Sequence, residues 1–256
     1  MHTKELIVIK IGSNVLTDRK GRLSHRIFRR IASQIKQFYK YDKKIIIVSS
    51  GAIACGMERL GISYEMRTIP QKQASASVGQ SLLMDYYRKF LKPIEVGQIL
   101  LTADGINNKE RAENIKNTIN ELLKMKVVPI INENDSVVTD EIKFGDNDML
   151  SAQVAKLIKA NRLIILSDID GLYDKNPRLH KDAKLITNIP KINAEIHKLA
   201  DGKGSAKGTG GMASKLKAAE LTSKNGIKTY LANGFRKNIL RDIVLEKAVC
   251  TKISAF

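Results

Sequence analysis

A chain of 256 residues, 43% of them hydrophobic and 27% charged, has the balance of a soluble globular protein with enough interior to bury its own core. That excludes a wholly disordered, collagen-like or low-complexity chain. Lys and Arg number 44 against 26 Asp and Glu, a formal net charge of +18.

In chain order, Glu5–Ile11 reads as a first strand ending at Gly12-Ser13. Ser24 is a candidate N-cap, after which Ile27, Phe28, Ile31, Ile35 and Phe38 recur at helical spacing. Lys44–Val48 is a second buried strand, closed by Ser49-Ser50-Gly51. Val78–Leu91 is helical in pattern and Glu95–Leu101 returns to strand. Asn108–Met125 is a helix with Ala112, Ile115, Ile119, Leu122 and Leu123 on one face. Val127–Ile131 is a strand, Met149–Ile158 a helix and Leu163–Leu166 another strand. After a loop-rich stretch, Met212–Ser223 is helical, Ile227–Leu231 a strand and Ala248–Ile253 a last edge strand.

This alternation, with near-continuous Val/Ile strands, predicts an α/β three-layer αβα sandwich around a central, mostly parallel sheet. The chain reads as one domain over residues 1–256, with a soft division near residue 160. Ligands of such sheets bind beyond the carboxyl ends of the strands. Small and polar residues stand at those exits: Lys10-Ile11-Gly12-Ser13, Ser49-Ser50-Gly51-Ala52, Asn132-Glu133-Asn134-Asp135 and Ser167-Asp168.

Several chemistries find no support. Cys55 and Cys250 are too few for a disulfide framework or a zinc knuckle and read as reduced, mostly buried thiols. The four histidines lie far apart, without metal-ligand spacing, so no protein-held metal is expected. Basic residues are scattered, Trp is absent, and aromatics do not interleave with them. A solvated lysine-rich surface is therefore expected rather than a specific nucleic-acid site. No apolar run reaches the ~18 residues of a membrane span, and the N-terminus lacks a signal-peptide pattern, so a cytoplasmic protein is expected.

Four constellations carry chemistry. Gly202, Gly204, Gly208, Gly210 and Gly211 feed a helix with Lys215 in its first turns, a design that lets backbone amides approach an anion. Lys10 ends an otherwise apolar strand and needs an anionic partner if buried. Two polar runs, Asn132-Glu133-Asn134-Asp135 and Gly145-Asp146-Asn147-Asp148, could hold a small zwitterion; the calcium-loop register is missing. Asp168, at a strand exit, could orient lysines or hold a metal–nucleotide complex, while Asp170-Gly171 could be a plain turn.

Together these segments resemble the glutamate 5-kinases of the amino-acid kinase superfamily, from residue 4 to the C-terminus and in that family's order. The resemblance rests on Lys10–Ser13, Ser49–Ala54, Ile131–Asp135, Gly145–Asp148, Ser167–Tyr173 and Gly208–Lys215. The Asn-Glu-Asn-Asp and Gly-Asp-Asn-Asp pair is its most specific part. Many members carry a further C-terminal PUA domain, and this chain resembles the short form.

The resemblance implies the carbamate kinase-like fold and ATP-dependent phosphorylation of the γ-carboxylate of L-glutamate, the first step of proline biosynthesis. By it, Lys10 and Lys215 flank the transferring phosphoryl group and Asp168 orients them. Gly12, Ser13, Gly51 and Ala52 offer donors to the phosphates. Ser50, Asn132, Asp135, Asn147 and Asp148 hold glutamate, on the 1–160 side. Ser167, Asp168, Thr209, Gly210, Gly211, Met212, Ala213, Ser214 and Lys215 bind the nucleotide on the 161–256 side, with Mg²⁺ bridging its phosphates. Feedback inhibition by proline and a homo-oligomeric state are implied in the same way. The alternatives are another superfamily enzyme, acting on aspartate, N-acetylglutamate, carbamate or uridylate, or a non-catalytic nucleotide- or RNA-binding protein.

Overall fold

The computed structural model describes residues 5–18, 22–41, 43–63, 68–137, 147–200 and 211–256. Its elements, in order, are β1 (Leu6–Ile11), α1 (Ser13–Leu16), α2 (His25–Lys40), β2 (Lys44–Ser49), α3 (Ala52–Leu60), α4 (Ile69–Leu91) and β3 (Val96–Leu101). There follow α5 (Ala103–Asn107), α6 (Lys109–Lys124), β4 (Val128–Glu133), α7 (Asn147–Leu157), β5 (Arg162–Ser167), β6 (Asn188–Ile189) and α8 (Ala194–Ala200). The chain ends with α9 (Met212–Ser223), β7 (Lys228–Asn233), α10 (Ile239–Val244) and β8 (Cys250–Ile253).

One eight-stranded sheet runs β3-β4-β2-β1-β5-β7-β8-β6, parallel except where β8 pairs antiparallel with β7. The expected parallel sandwich is therefore present. One detail differs: β8 is not the edge, because the two-residue β6 pairs on its far side.

Strand side chains alternate between faces, and here they feed two separate cores. Ile7, Ile9, Ile11, Ile45 and Ile47 pack with α2, α4 and α10 on one face. Val8, Ile46, Val48, Ile131 and Ile165 pack with α6, α7 and α9 on the other. Burying each such Ile or Val fully is worth about 1.5–3 kcal/mol, so both layers are firmly attached.

The same alternation decides where Lys10 goes. It shares the parity of Val8 and lies in register with Val48 and Ile165, so it faces the α6/α7/α9 layer. At the opposite end of the sheet, Glu5 accepts from both Lys43 and Arg162, which ties β1 to its neighbours away from the strand exits.

Helix α4 begins well before residue 78. Thr68 caps it, Gln71 completes the reciprocal capping box and Pro70 sits in its first turn. Its early turns lie directly on α3, a helix absent from the predicted elements. A Cβ on Gly56 would stand 1.7 Å from the Ser75 carbonyl oxygen, and one on Gly79 1.8 Å from that of Ala52. Only glycine permits this backbone-to-backbone approach.

Candidate active site

Lys10 meets its partner within the layer it faces. Asp148, in the first turn of α7, is 0% exposed, and its Oδ1 lies 2.6 Å from Lys10 Nζ. Its Oδ2 lies 2.9 Å from Nζ of Lys215, in the second turn of α9. Lys10 and Lys215 are 3% and 7% exposed. Desolvated ammonium groups are costly without an anion, and a shared buried carboxylate supplies one. The three side chains lie together below the exit of β1.

The bridging acid is Asp148, not Asp168. Asp168 lies just beyond β5, where it accepts from Arg178 at 2.7 Å, and its side chain is 31% exposed. The acid at the lysines comes from the helix layer because Lys10 points into that layer. Asp148 is correspondingly withdrawn from the glutamate-holding group: both of its oxygens face ammonium groups.

Ser50, Asn132 and Asn147, of the remaining predicted glutamate-side residues, converge next to Asp148. Asn147, the first residue of α7, donates through Nδ2 towards the Ser49 carbonyl (2.7 Å), Ser50 Oγ (3.0 Å) and Asn132 Oδ1 (2.8 Å). Asn132 Nδ2 and Asn147 Oδ1 are buried and find no hydrogen-bond partner among the described residues. An unmet donor next to an unmet acceptor suits a ligand that brings both. Asp135 lies half-buried in the loop after β4. That loop is held from α4, where Ser77 Oγ lies 2.8 Å from Ser136 Oγ and Gln80 donates to the Glu133 carbonyl at 3.3 Å.

The predicted phosphate-side residues line the neighbouring exits. Gly12 N–H donates to the Leu166 carbonyl at 3.1 Å, and a Cβ there would lie 3.7 Å from Lys10 Nζ. Ser13 is exposed in the first turn of α1. Gly51, with φ 104°, caps α3 in the left-handed region and puts Ala52 at that helix's start. Gly211 caps α9, and Met212, Ala213 and Ser214 form its first turn. Free amides and the dipole favour an anion at such a helix start. Ser167 is buried, its hydroxyl turned to the Ile169 carbonyl. Thr209 and Gly210 lie outside the described residues, as do Gly145 and Asp146.

A cavity of about 290 Å³ opens beyond β5 and β7, lined by Asp168, Asp170, Tyr173, Pro177, Arg178 and Asn233 among others. Arg236 grips Asp170 through two bonds of 2.6 and 2.7 Å, and this holds the Asp170 carboxyl below its ordinary range. Arg30 of α2 ties down the loop after β7 by donating to the Gly234 and Phe235 carbonyls. Arg178 and Arg236 were not predicted: single basic residues in loops carry no motif.

The chain is a mostly parallel αβα sandwich with two lysines on one buried acid, and it belongs to the amino acid kinase family, whose model matches residues 5–233. Within that family the chain is similar to named enzymes. It is 48% identical to the glutamate 5-kinase of Clostridium acetobutylicum, over 93% of this chain and 90% of that protein. It is 45% identical to that of Clostridium tetani, over 97% and 94%. With the glutamate 5-kinase of Geobacter sulfurreducens it shares 47% identity over 96% of this chain and 66% of that longer protein. Among solved structures, the carbamate kinase from Giardia lamblia bound to AMP-PNP superposes over 100% of both chains with a TM-score of 0.69 at 19% identity. The UMP kinase from Ureaplasma parvum does so with a TM-score of 0.65 at 17% identity, covering 98% of this chain and 99% of that one. At such identities the likeness is one of fold.

Proposed function

We infer that the protein transfers the γ-phosphoryl group of ATP to the side-chain carboxylate of L-glutamate, the glutamate 5-kinase reaction and first step of proline biosynthesis. The observation that carries this is the pair of lysines on one buried carboxylate, set beside a Ser50–Asn132–Asn147 cluster with an unmet donor and acceptor.

A γ-carboxylate, with an ordinary pKa near 4.3, is already ionised at neutral pH. One of its oxygens attacks the γ-phosphorus, the bond to the β,γ-bridging oxygen breaks, and ADP leaves with that electron pair. No proton needs to move, so no general base is required. The obstacle is repulsion between a carboxylate and a triphosphate, and catalysis rests on positioning and charge stabilisation. Lys10 and Lys215 are suited to flank the transferring group, with Asp148 holding both in place. Asn132 Nδ2 is suited to the substrate α-carboxylate and Asn147 Oδ1 to its ammonium, with Ser50 and Asp135 completing that side. The cavity beyond β5 is suited to the nucleoside, and the starts of α3 and α9 to the phosphates.

Mg²⁺ fits best as an ion carried on the nucleotide, because the buried acid at the lysines is taken up by them. When bound, it offsets charge on the phosphate oxygens. Loss of activity with EDTA and its return with Mg²⁺ test this. Proline as an inhibitor and a homo-oligomeric assembly are further parts of this reading, checked by adding proline to the assay and by light scattering.

Hydroxylamine traps acyl phosphates as hydroxamates, which gives the direct test of the reaction. Product requiring both glutamate and ATP is expected. Faster ADP release with aspartate, N-acetylglutamate, carbamate or UMP than with glutamate overturns the assignment.

A further inference from the structure

Ser214 belongs to the segment that the family resemblance gives to the nucleotide, yet its hydroxyl is directed elsewhere. Its Oγ donates to Asp148 Oδ2 at 2.7 Å, the same oxygen that Lys215 Nζ meets at 2.9 Å. Asp148 Oδ1 faces Lys10 Nζ at 2.6 Å. A serine hydroxyl has one proton, and here it lies on the carboxylate, so it is not offered to a phosphate oxygen.

Ser214 and Lys215, which both donate to Oδ2, differ in reach. Lys215 approaches on a flexible four-carbon stem that can follow the carboxylate if it swings. Ser214 has a single rotatable carbon between backbone and oxygen. Its bond therefore fixes the distance from the α9 backbone to the Asp148 carboxylate, whose own backbone stands in the first turn of α7. With Oδ2 held, Oδ1 is aimed at Lys10, and both ammonium groups take their places from one rigid acid. We propose that Ser214 is a positioning residue for phosphoryl transfer, acting through Asp148 rather than on the nucleotide. This rests on the phosphotransferase reading of the site.

Steady-state kinetics on the full chain, with ATP and glutamate varied separately, tests it in Ser214→Ala, Ser214→Thr, Asp148→Asn and the Ser214→Ala/Asp148→Asn double variant. Ser214→Ala is expected to lower kcat on the order of 10- to 100-fold, the scale of losing one hydrogen bond to a charged group. Its KM for ATP should stay within about threefold, since the nucleotide loses no contact. Ser214→Thr, which keeps the hydroxyl, should restore kcat to within a few-fold. In the Asp148→Asn background, Ser214→Ala should add little, because the two act as a unit.

A raised KM for ATP with kcat preserved makes Ser214 a nucleotide contact and overturns the proposal. So do an unchanged kcat in Ser214→Ala, a Thr variant as slow as the Ala variant, or multiplicative losses in the double variant. Wild-type protein that phosphorylates a different carboxylate defeats the glutamate assignment alone. The Ser214 cycle is then read on that substrate, so the two failures are distinguishable.

Discussion

Asp148 and Asp168 are the same residue type, twenty positions apart, and only their surroundings separate them. One is fully buried between two ammonium groups; the other holds an arginine at the rim of a cavity. Lys10 was legible in the sequence, because a lysine closing an apolar strand needs a partner, and strand parity gives its face. Which acid serves it was not legible. That depends on the turn of α7 lying over β1, and no local pattern encodes a contact between residues 138 positions apart. Replacing Lys10 or Lys215 by Ala is expected to lower kcat by roughly 10²–10³-fold, the scale for one preorganised donor, as steady-state ADP release will show.

The cysteines were legible too. Both are free and buried, and burial pushes each thiol up to about 11. An unfolded thiol ionises near 8.5, so the native chain should react slowly with a disulfide reagent at pH 8 and promptly in guanidinium. The same raised values mean that the thiols' contribution to stability is present below about pH 8.5 and is lost as pH climbs towards 11.

Among elements, the long amphipathic helices and the Val/Ile strands followed from periodicity, whereas α3 and the first turns of α4 did not. Their closest approach is made by Ala52, Gly56, Ser75 and Gly79, residues too small to write a hydrophobic stripe. A signal was nevertheless present in Thr68-Ile69-Pro70-Gln71, which has the spacing of a capping box with proline behind the cap. The contact matters to the site because α3 starts at Gly51-Ala52, while α4 holds the loop after β4 through Ser77 and Gln80. Gly79→Ala and Gly56→Ala each drive a methyl group into a carbonyl oxygen. Each is expected to cost about 1–3 kcal/mol or more, read as a lower urea midpoint. Leu60→Ala on the exposed end of α3 should shift that midpoint far less.

For the molecule as a whole, strand order explains why so dispersed a set of residues meets. β2, β1 and β5 are adjacent, with β4 and β7 on either side, so residues 50, 10 and 168 emerge along one rim although far apart in sequence. Chain alternation and strand exits made that rim legible; which helix turns roof it was settled only by packing. The net charge of +18 adds a field that draws anionic substrates at low ionic strength. Raising salt from 50 to 500 mM should therefore raise KM for ATP severalfold while kcat changes less, since a buried ion-pair cluster is screened weakly. Glutamate-dependent hydroxamate formation in wild-type, Asp148→Asn and Asp168→Asn proteins, side by side at saturating ATP, puts the shared-carboxylate site to its most direct trial. The site as built predicts robust turnover in the wild type, a loss of roughly 10²–10³-fold with Asn at 148, and a rate within about tenfold of wild type with Asn at 168, where an exposed pair contributes little. Turnover that survives at 148 and collapses at 168 contradicts it.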